Sequence, residues 1–429
     1  MSKKFSAPRG TADILPSEVR LWTDLESAAR TIFSHYNYKE IRTCVFEDRE
    51  LFKRSLGQTS DVVNKQLLEL RSQKEGDETG ETYALRPEGT ASIVRSYVEN
   101  DFDKRESISK FFYIGAMFRG ERPQKGRLRQ FHQIGAEAIG PSTLNPYLDA
   151  EMISLSVRLL DAFGISGYHI KINNLGDVTD KENFSKYLRE KLGSVLTSLC
   201  KDCQDRFERN VFRVLDCKNK QCIEVVDRLK LNDSALSSAS KDYFNKVKKA
   251  LDSLHIKYEQ SLKLVRGLDY YNYTVFEILH SGLGSQDAIG AGGRYNHLVA
   301  QLGGEDKNEI GAIGFSLGME RILLVKKDDS DKKNEVDIFM IALDEESFRH
   351  AFLLLNELRA AGLEADIDYK MGSLKSQMRT ADKYGARFVV IIGEDELKKD
   401  VLILKNMKTA QQQELSLKDT KKLIQHIRS

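Results

Sequence analysis

The run Lys326-Lys327-Asp328-Asp329-Ser330-Asp331-Lys332-Lys333-Asn334-Glu335 constrains this chain most. It offers nothing that could anchor a core, so it reads as a linker, and the segments on either side must each bury their own apolar surface. In a chain of 429 residues, both segments are long enough to do so. After the linker, residues 336–429 alternate in pattern. Val336–Ala342 is strand-like, and Phe348, Ala351, Phe352, Leu355 and Leu358 form a helical stripe. A further helical stretch precedes a strand-like run at Arg387–Gly393. Such alternation predicts a separate small α/β domain.

Residues 1–325 read differently. Val19, Trp22, Leu25, Ala29, Ile32 and Tyr36 recur at helical spacing, predicting a helix over 17–36 with Ser17 as its N-cap. Residues 65–70 and 82–86 suggest a hairpin around a Gly76–Gly80 turn. Phe111–Phe118 and Gln130–Ile139 read as an antiparallel pair flanking the polar loop Glu121–Arg127. Residues 180–260 turn charged and helical between two strand-rich blocks, as an insertion would. Strands return at Tyr270–Leu279 and Asp287–Ala291, followed by a helix from about Ser316 to Val325.

Composition narrows the class. With 41% hydrophobic and 30% charged residues the chain is globular rather than disordered. No apolar run approaches the ~18 residues of a membrane span. No apolar stretch follows the basic start of Met1–Gly10, so no signal peptide is expected and the cytoplasm is the expected compartment. A net charge of +2 neither requires nor forbids nucleic acid, which would need local basic patches. Five cysteines, an odd number, suit a reducing compartment.

Familiar nucleotide signatures are missing. There is no Gly-x4-Gly-Lys-[Ser/Thr], and Gly290-Ala291-Gly292-Gly293 has the wrong spacing for a dinucleotide loop. What stands out is arginine beside strand ends and glycines: Arg86, Arg119, Arg266 and Arg321. Each alone reads as a surface ion pair; together they suggest a fixed positive cradle for phosphates, which guanidinium binds bidentately. On the second hairpin strand, period-two geometry puts Gln133, Gly135 and Glu137 on one face. That face is either a solvated sheet surface or a polar floor with a small ligand over Gly135. The histidines are scattered singly. Cys200-x2-Cys203-x13-Cys217-x4-Cys222 reads either as a four-thiolate zinc site or as reduced thiols, and no metal ligands are assigned from it.

Several segments resemble the histidyl-tRNA synthetase family of class II enzymes. Pro8-Arg9-Gly10-Thr11-Ala12-Asp13-Ile14-Leu15-Pro16 resembles its N-terminal signature. Residues 111–140 resemble class II motif 2, and residues 311–323 motif 3. Leu264-Val265-Arg266-Gly267-Leu268-Asp269-Tyr270-Tyr271 through Glu277 resembles the first histidine-specific motif, and Ala291-Gly292-Gly293-Arg294-Tyr295 the second. Ala381–Arg387 is similar to the family's C-terminal domain. One departure is Cys44, which stands where motif 1, a dimer-interface element, carries proline.

The resemblance implies an α+β fold: a class II antiparallel sheet with flanking helices over 1–325, a helical insertion at about 180–260, a linker at 326–335 and an anticodon-binding domain over 336–429. It implies a homodimer that joins L-histidine, ATP and tRNA(His), with magnesium borne by ATP and no tightly bound cofactor. By position, Glu88 and Thr90 would hold the histidine amino group with Gln133 nearby, Gly89 would belong to the same histidine site, and Glu137, Tyr270 and Tyr271 would read the imidazole. Arg119 would clamp the α-phosphate and Arg266 would face it from the other side. Glu121 and Arg321 would bind the adenine end, and Arg122 and Gln124 the tRNA acceptor end. The rivals are a regulatory paralogue that keeps the fold as a subunit of a histidine-biosynthesis enzyme, and a prolyl or threonyl synthetase. The intact Arg266 motif and C-terminal domain speak against the first, and Tyr270, Tyr271 and Glu137 against the second.

Overall fold

A computed structural model describes residues 5–57, 60, 62–70, 82–303, 310–326 and 336–428. The Gly76–Gly80 turn and all of the 326–335 run except Lys326 lie outside the described residues. The chain divides into two compact units, Met1–Lys326 and Lys327–Ser429.

The larger unit is built on an eight-stranded sheet. Its strands run in the order Lys39–Glu40, Ser109–Phe118, Gln130–Gly140, Gly311–Gly318, Ala288–Arg294, Asn272–His280, Tyr168–Asn174 and Glu259–Gln260. Only the two edge pairs are parallel; the six inner strands pair antiparallel throughout. The Phe111/Gln130 hairpin therefore forms as its alternation predicts, over Ser109–Phe118 and Gln130–Gly140. One apolar layer packs the helices Pro16–His35, Pro146–Ala162 and Ser238–Ser253 on the sheet through Phe33, Leu155, Leu159, Phe244, Phe276 and Phe315. A second core, including Phe52, Ile93, Tyr97 and Val275, joins the helix Thr90–Glu99 to the sheet.

Several sequence expectations shift locally. The first helix begins one residue earlier, with Leu15 at the N-cap and Pro16 at N1; Ser17 makes no cap. Proline suits that position because its missing N–H would be unpaired there anyway. Val19 faces solvent, and Phe33 takes the buried place instead. In the first hairpin, Glu69–Leu70 does pair with Tyr83–Leu85, but Val62–Gln66 is a π-helical turn. Tyr270 and Tyr271 precede their strand, which starts at Asn272. The segment expected to be helical from Ser316 stays extended to Gly318, because strands on both flanks take its hydrogen bonds; the helix runs Met319–Val325.

Within residues 180–260, Phe184, Leu188, Leu199, Val211, Val214 and Val226 build a separate small core. The last helix, Ser238–Ser253, returns to the main core through Phe244, Val247 and Leu251.

The smaller unit has five strands in the order Ala365–Ile367, Ile338–Ala342, Phe388–Ile392, Val401–Asn406 and Gln412–Ser416, parallel at one side and antiparallel at the other. Leu354, Leu355 and Leu358 of the helix Glu345–Ala360 pack on it, while Phe352 stays exposed. Among the described residues no helix is long and apolar enough to cross a membrane.

Candidate active site

The inner strands leave a pocket of about 310 Å³ in the larger unit. Its character follows from what each strand can tolerate at the floor. Tyr113 sits opposite Gly135 across the hairpin, and its ring fills the space where Cβ atoms of Gly135 and Gly89 would stand. Neither alternative for this face holds: it is buried rather than solvated, and no open floor lies over Gly135. The glycine makes room for a buried tyrosine, not for a ligand, and the polar residues at each end are left with separate surroundings.

Gln133 lines the pocket and its Oε1 is buried without a protein partner. Glu137 lies deeper, almost fully buried at 1% exposure. The Thr90 hydroxyl donates to its Oε1 at 2.7 Å and the Tyr295 hydroxyl to its Oε2 at 2.5 Å. A side chain at Gly314, its cross-strand neighbour, would collide with the carboxylate, so glycine is required there. Burial, aided by the negative charge of Glu88, pushes Glu137 up to about 8. Glu88 is raised as well, by burial, although it accepts backbone N–H bonds from Thr90 at 2.8 Å and Ala91 at 2.9 Å. It thus caps the helix Thr90–Glu99, and the helix dipole helps to keep a negative charge there. Two buried carboxyl groups side by side favour an incoming cation.

Tyr270 and Tyr271 pack against each other at 4.6 Å between ring centroids, and Tyr270 lies edge-on to Tyr295 at 5.5 Å. All three line the pocket. Lys181, from the first helix of the insertion, donates to the backbone carbonyls of Asp269 at 3.2 Å and Tyr271 at 2.9 Å, which fixes the turn carrying the pair.

Guanidinium groups gather elsewhere in the same pocket. Arg119 donates to the Pro87 carbonyl at 2.9 Å and lies over the Phe131 ring. Arg321 donates to the carbonyls of Gly126 at 3.0 Å and Ala288 at 2.6 Å. Burial and the like charges of Arg127 and Arg119 depress the proton affinity of Arg321. Arg127 pairs with Glu121 at 3.0 Å. Arg266 pairs with Glu277 at 3.0 Å, and its Nε is buried without a protein partner. Unpartnered buried atoms occur outside the pocket too, at Arg95 Nε for one. What distinguishes Arg266 and Gln133 is that both line the cavity.

Arg86 does not belong to this cradle. Its guanidinium donates to the Thr43, Cys44 and Ala116 carbonyls and to the Thr43 hydroxyl, so it staples the strand ends together. Four acceptors from two segments, Thr43–Cys44 and Ala116, leave it no role as a phosphate ligand, and the cradle reading is corrected at this position. Arg122 and Gln124 line a neighbouring cavity of about 550 Å³ with Lys65 and Gln66; Glu121 and Arg127 belong to both cavities. The sequence reading gave no role to Tyr295, Arg127 or Glu277. Tyr295 stood inside a recognised motif, but its contact with Glu137 spans 158 positions. Asp216 and Lys218, from the insertion, also line the pocket.

The family model described as histidyl-tRNA synthetase matches residues 10–322, and that of an anticodon binding domain matches residues 335–427. The histidine–tRNA ligase of Halothermothrix orenii is 43% identical over 414 residues, spanning 96% of each chain. That of Geobacillus sp. is 42% identical over 419 residues, spanning 96% of this chain and 97% of its own. The apo histidyl-tRNA synthetase of S. aureus superposes with a TM-score of 0.77 at 32% identity, covering 99% of this chain and 100% of that one.

Proposed function

The chain belongs to the histidyl-tRNA synthetase family, and from that premise we infer that it is a histidine–tRNA ligase. It activates L-histidine with ATP to histidyl-adenylate, releasing diphosphate, and transfers the histidyl group to the 3′ end of tRNA(His) with release of AMP. The observation that carries this reading is a single pocket lined by a buried carboxyl group, Glu88, with the buried Glu137 bonded to the lining residue Thr90, and by four guanidinium groups, Arg119, Arg127, Arg266 and Arg321. An amino acid brings an ammonium group for the first, and a nucleotide brings phosphates for the second.

In the activation step a histidine carboxylate oxygen attacks the α-phosphorus and the bond to the diphosphate oxygen breaks. No nucleophilic side chain is needed; positioning and charge stabilisation do the work. Glu88, Thr90 and Gln133 hold the α-amino group. Glu137, held in place by Thr90 and Tyr295, reads the imidazole with Tyr270 and Tyr271, supplying the donor and acceptor that two ring nitrogens require. Arg119 and Arg266 face the α-phosphate from opposite sides. Arg266 is suited to this because Glu277 orients it while its Nε stays uncommitted. Arg321 and Glu121 serve the adenine end, and Arg122 and Gln124 the tRNA acceptor end.

Magnesium arrives with the ATP phosphates. The pocket carboxylates Glu121 and Glu277 are oxygen donors of the kind a hard cation takes, but each is already engaged by an arginine, so the ion stays with the nucleotide. Residues 336–429 read the anticodon, the enzyme works in the cytoplasm, and the family's homodimer is the expected assembly.

Amino-acid-dependent ATP–diphosphate exchange with all twenty amino acids tests the assignment. Histidine alone is expected to support exchange, and faster exchange with any other amino acid overturns the specificity. A chain ending at Lys326 is expected to keep exchange and to lose most tRNA charging; undiminished charging removes residues 336–429 from tRNA binding. Sedimentation of the whole chain tests the dimer.

A further inference from the structure

Cys200, Cys203, Cys217 and Cys222 are used by none of this chemistry, yet the fold brings them together. Their four Sγ atoms all lie within 4.8 Å of one another. A tetrahedral zinc thiolate with metal–sulfur bonds of about 2.3 Å has sulfur–sulfur edges of roughly 3.8 Å. The Cys200–Cys217 pair, at 3.9 Å, already has that spacing. Cys203 and Cys222 are fully buried, and Cys200 and Cys217 half-buried.

The surroundings are those of bound thiolates. Cys200 and Cys203 sit at the N-cap and first turn of the helix Lys201–Arg209, and Cys222 in the first turn of the helix Lys220–Arg228. The backbone N–H of Cys200 donates to Cys222 Sγ at 3.2 Å and that of Asn219 to Cys217 Sγ at 3.4 Å. Such N–H bonds orient ligand sulfurs and stabilise their charge. A tetrathiolate zinc centre carries two net negative charges; Lys201 and Lys218 adjoin two of the ligands in the chain, and Lys220 stands two residues before a third.

We propose that these four cysteines hold one zinc ion in a closed structural site, and that the ion fastens the insertion against the Arg266 segment. Binding exchanges four thiol protons for one Zn²⁺ and involves no oxidation. The tie to the pocket is local. Cys217 lies between Asp216 and Lys218, both of which line the active-site cavity. Arg213, four residues before Cys217, donates to the Arg266 carbonyl at 3.5 Å and fills the space beside Gly267. Val265, next to Arg266, packs into the same small core as Cys203 and Cys222. The tie to adenylation rests on the proposed function; the metal site does not.

The test uses the full chain, purified without chelator or added metal. Elemental analysis is expected to find about one zinc per chain. After exchange with Co²⁺, the spectrum should show the thiolate charge-transfer and strong visible bands of tetrahedral cobalt. Cys217→Ser, at a half-exposed position, should lose the metal, whereas Cys44→Ser should keep it. Metal-free protein that takes up neither zinc nor cobalt overturns the site, as do two disulfides found by mass spectrometry in protein kept reduced. The wild-type cobalt titration decides even if a serine variant fails to fold. Stripping zinc should lower histidine-dependent exchange at least ten-fold, with recovery on adding zinc alone. Zinc bound but removable without effect on exchange overturns the coupling. A zinc-loaded chain that supports no exchange with any amino acid counts against the proposed function, not against the site.

Discussion

Arg294 and Arg266 stand in two regions of the larger unit that use the same side chain for opposite ends. Arg294 is fully buried. It pairs with Asp149 through Nε and Nη2, and donates to the Thr143 carbonyl at 2.7 Å and to Asn296 Oδ1 at 3.1 Å. Every nitrogen of that guanidinium is spoken for, and it ties the last residue of the Ala288–Arg294 strand to the helix Pro146–Ala162. Arg266 has one carboxylate partner and an uncommitted Nε, at the wall of a cavity. A guanidinium satisfied on all sides holds structure; one oriented by a single partner keeps donors for a ligand. Arg86 falls on the structural side of this division, which no sequence spacing announced.

The contrast can be broken first at Arg294. Arg294→Met leaves the Asp149 carboxylate buried and uncompensated, and should cost about 3–5 kcal/mol in denaturant unfolding. Adding Asp149→Leu should recover part of that loss. A single variant within about 1 kcal/mol of wild type, a surface-pair value, would erase the distinction between the two regions. Arg266→His should behave in reverse. Histidine-dependent exchange should fall by about 10²–10³-fold, the usual loss for one fixed donor facing a developing oxyanion, while the melting temperature stays near wild type. Comparable losses of stability and rate would make Arg266 a structural residue after all.

A smaller effect is expected at Glu137→Gln. The amide keeps the shape but loses the charge, so the histidine KM should rise about ten-fold, near 1.4 kcal/mol, with the ATP KM almost unchanged. Equal rises in both would mean that Glu137 supports the sheet rather than reading a ligand.

Smallest is a proton. Glu137 is pushed up to about 8 by burial. It is therefore mainly protonated at pH 7 in the free protein, and an arriving ammonium favours its ionised form. Histidine binding at pH 7 should release up to one proton, seen by calorimetry as a dependence of the binding enthalpy on buffer ionisation, and Glu137→Gln should abolish it. The sign for folding follows from the same shift. A folded value above the ordinary carboxylate range means that this group's contribution to stability is present in acid and is lost as pH rises through about 8. Glu137→Gln should flatten stability against pH across that window, and an unchanged slope would show that Glu137 is already ionised in the free protein.

Much of the chain was legible before folding. The alternation of 111–118 and 130–139, the charged insertion and the patterned stretch after 336 depend on period and composition alone, which are local properties of the backbone. Arg119, Arg266, Tyr270, Tyr271 and Gln133 were found through motifs, and the pocket gathers them. Where extrapolation failed, the cause was a neighbour distant in sequence. Ser316 stays in a strand because two other strands bond it, and Gly135 carries no ligand because Tyr113 lies across it.

By itself, then, the sequence determined the family, the sheet-forming hairpin and the residue types available for charge and hydrogen bonding. Tertiary structure alone decided how those residues are spent. It spent Arg86 on carbonyls, put Tyr295 under Glu137 and drew four cysteines from a 23-residue stretch (200–222) into one cluster. The physical reason is that a side chain's role depends on which partners remain for it once burial has excluded water, and those partners are set by packing across the fold rather than by neighbours in the chain.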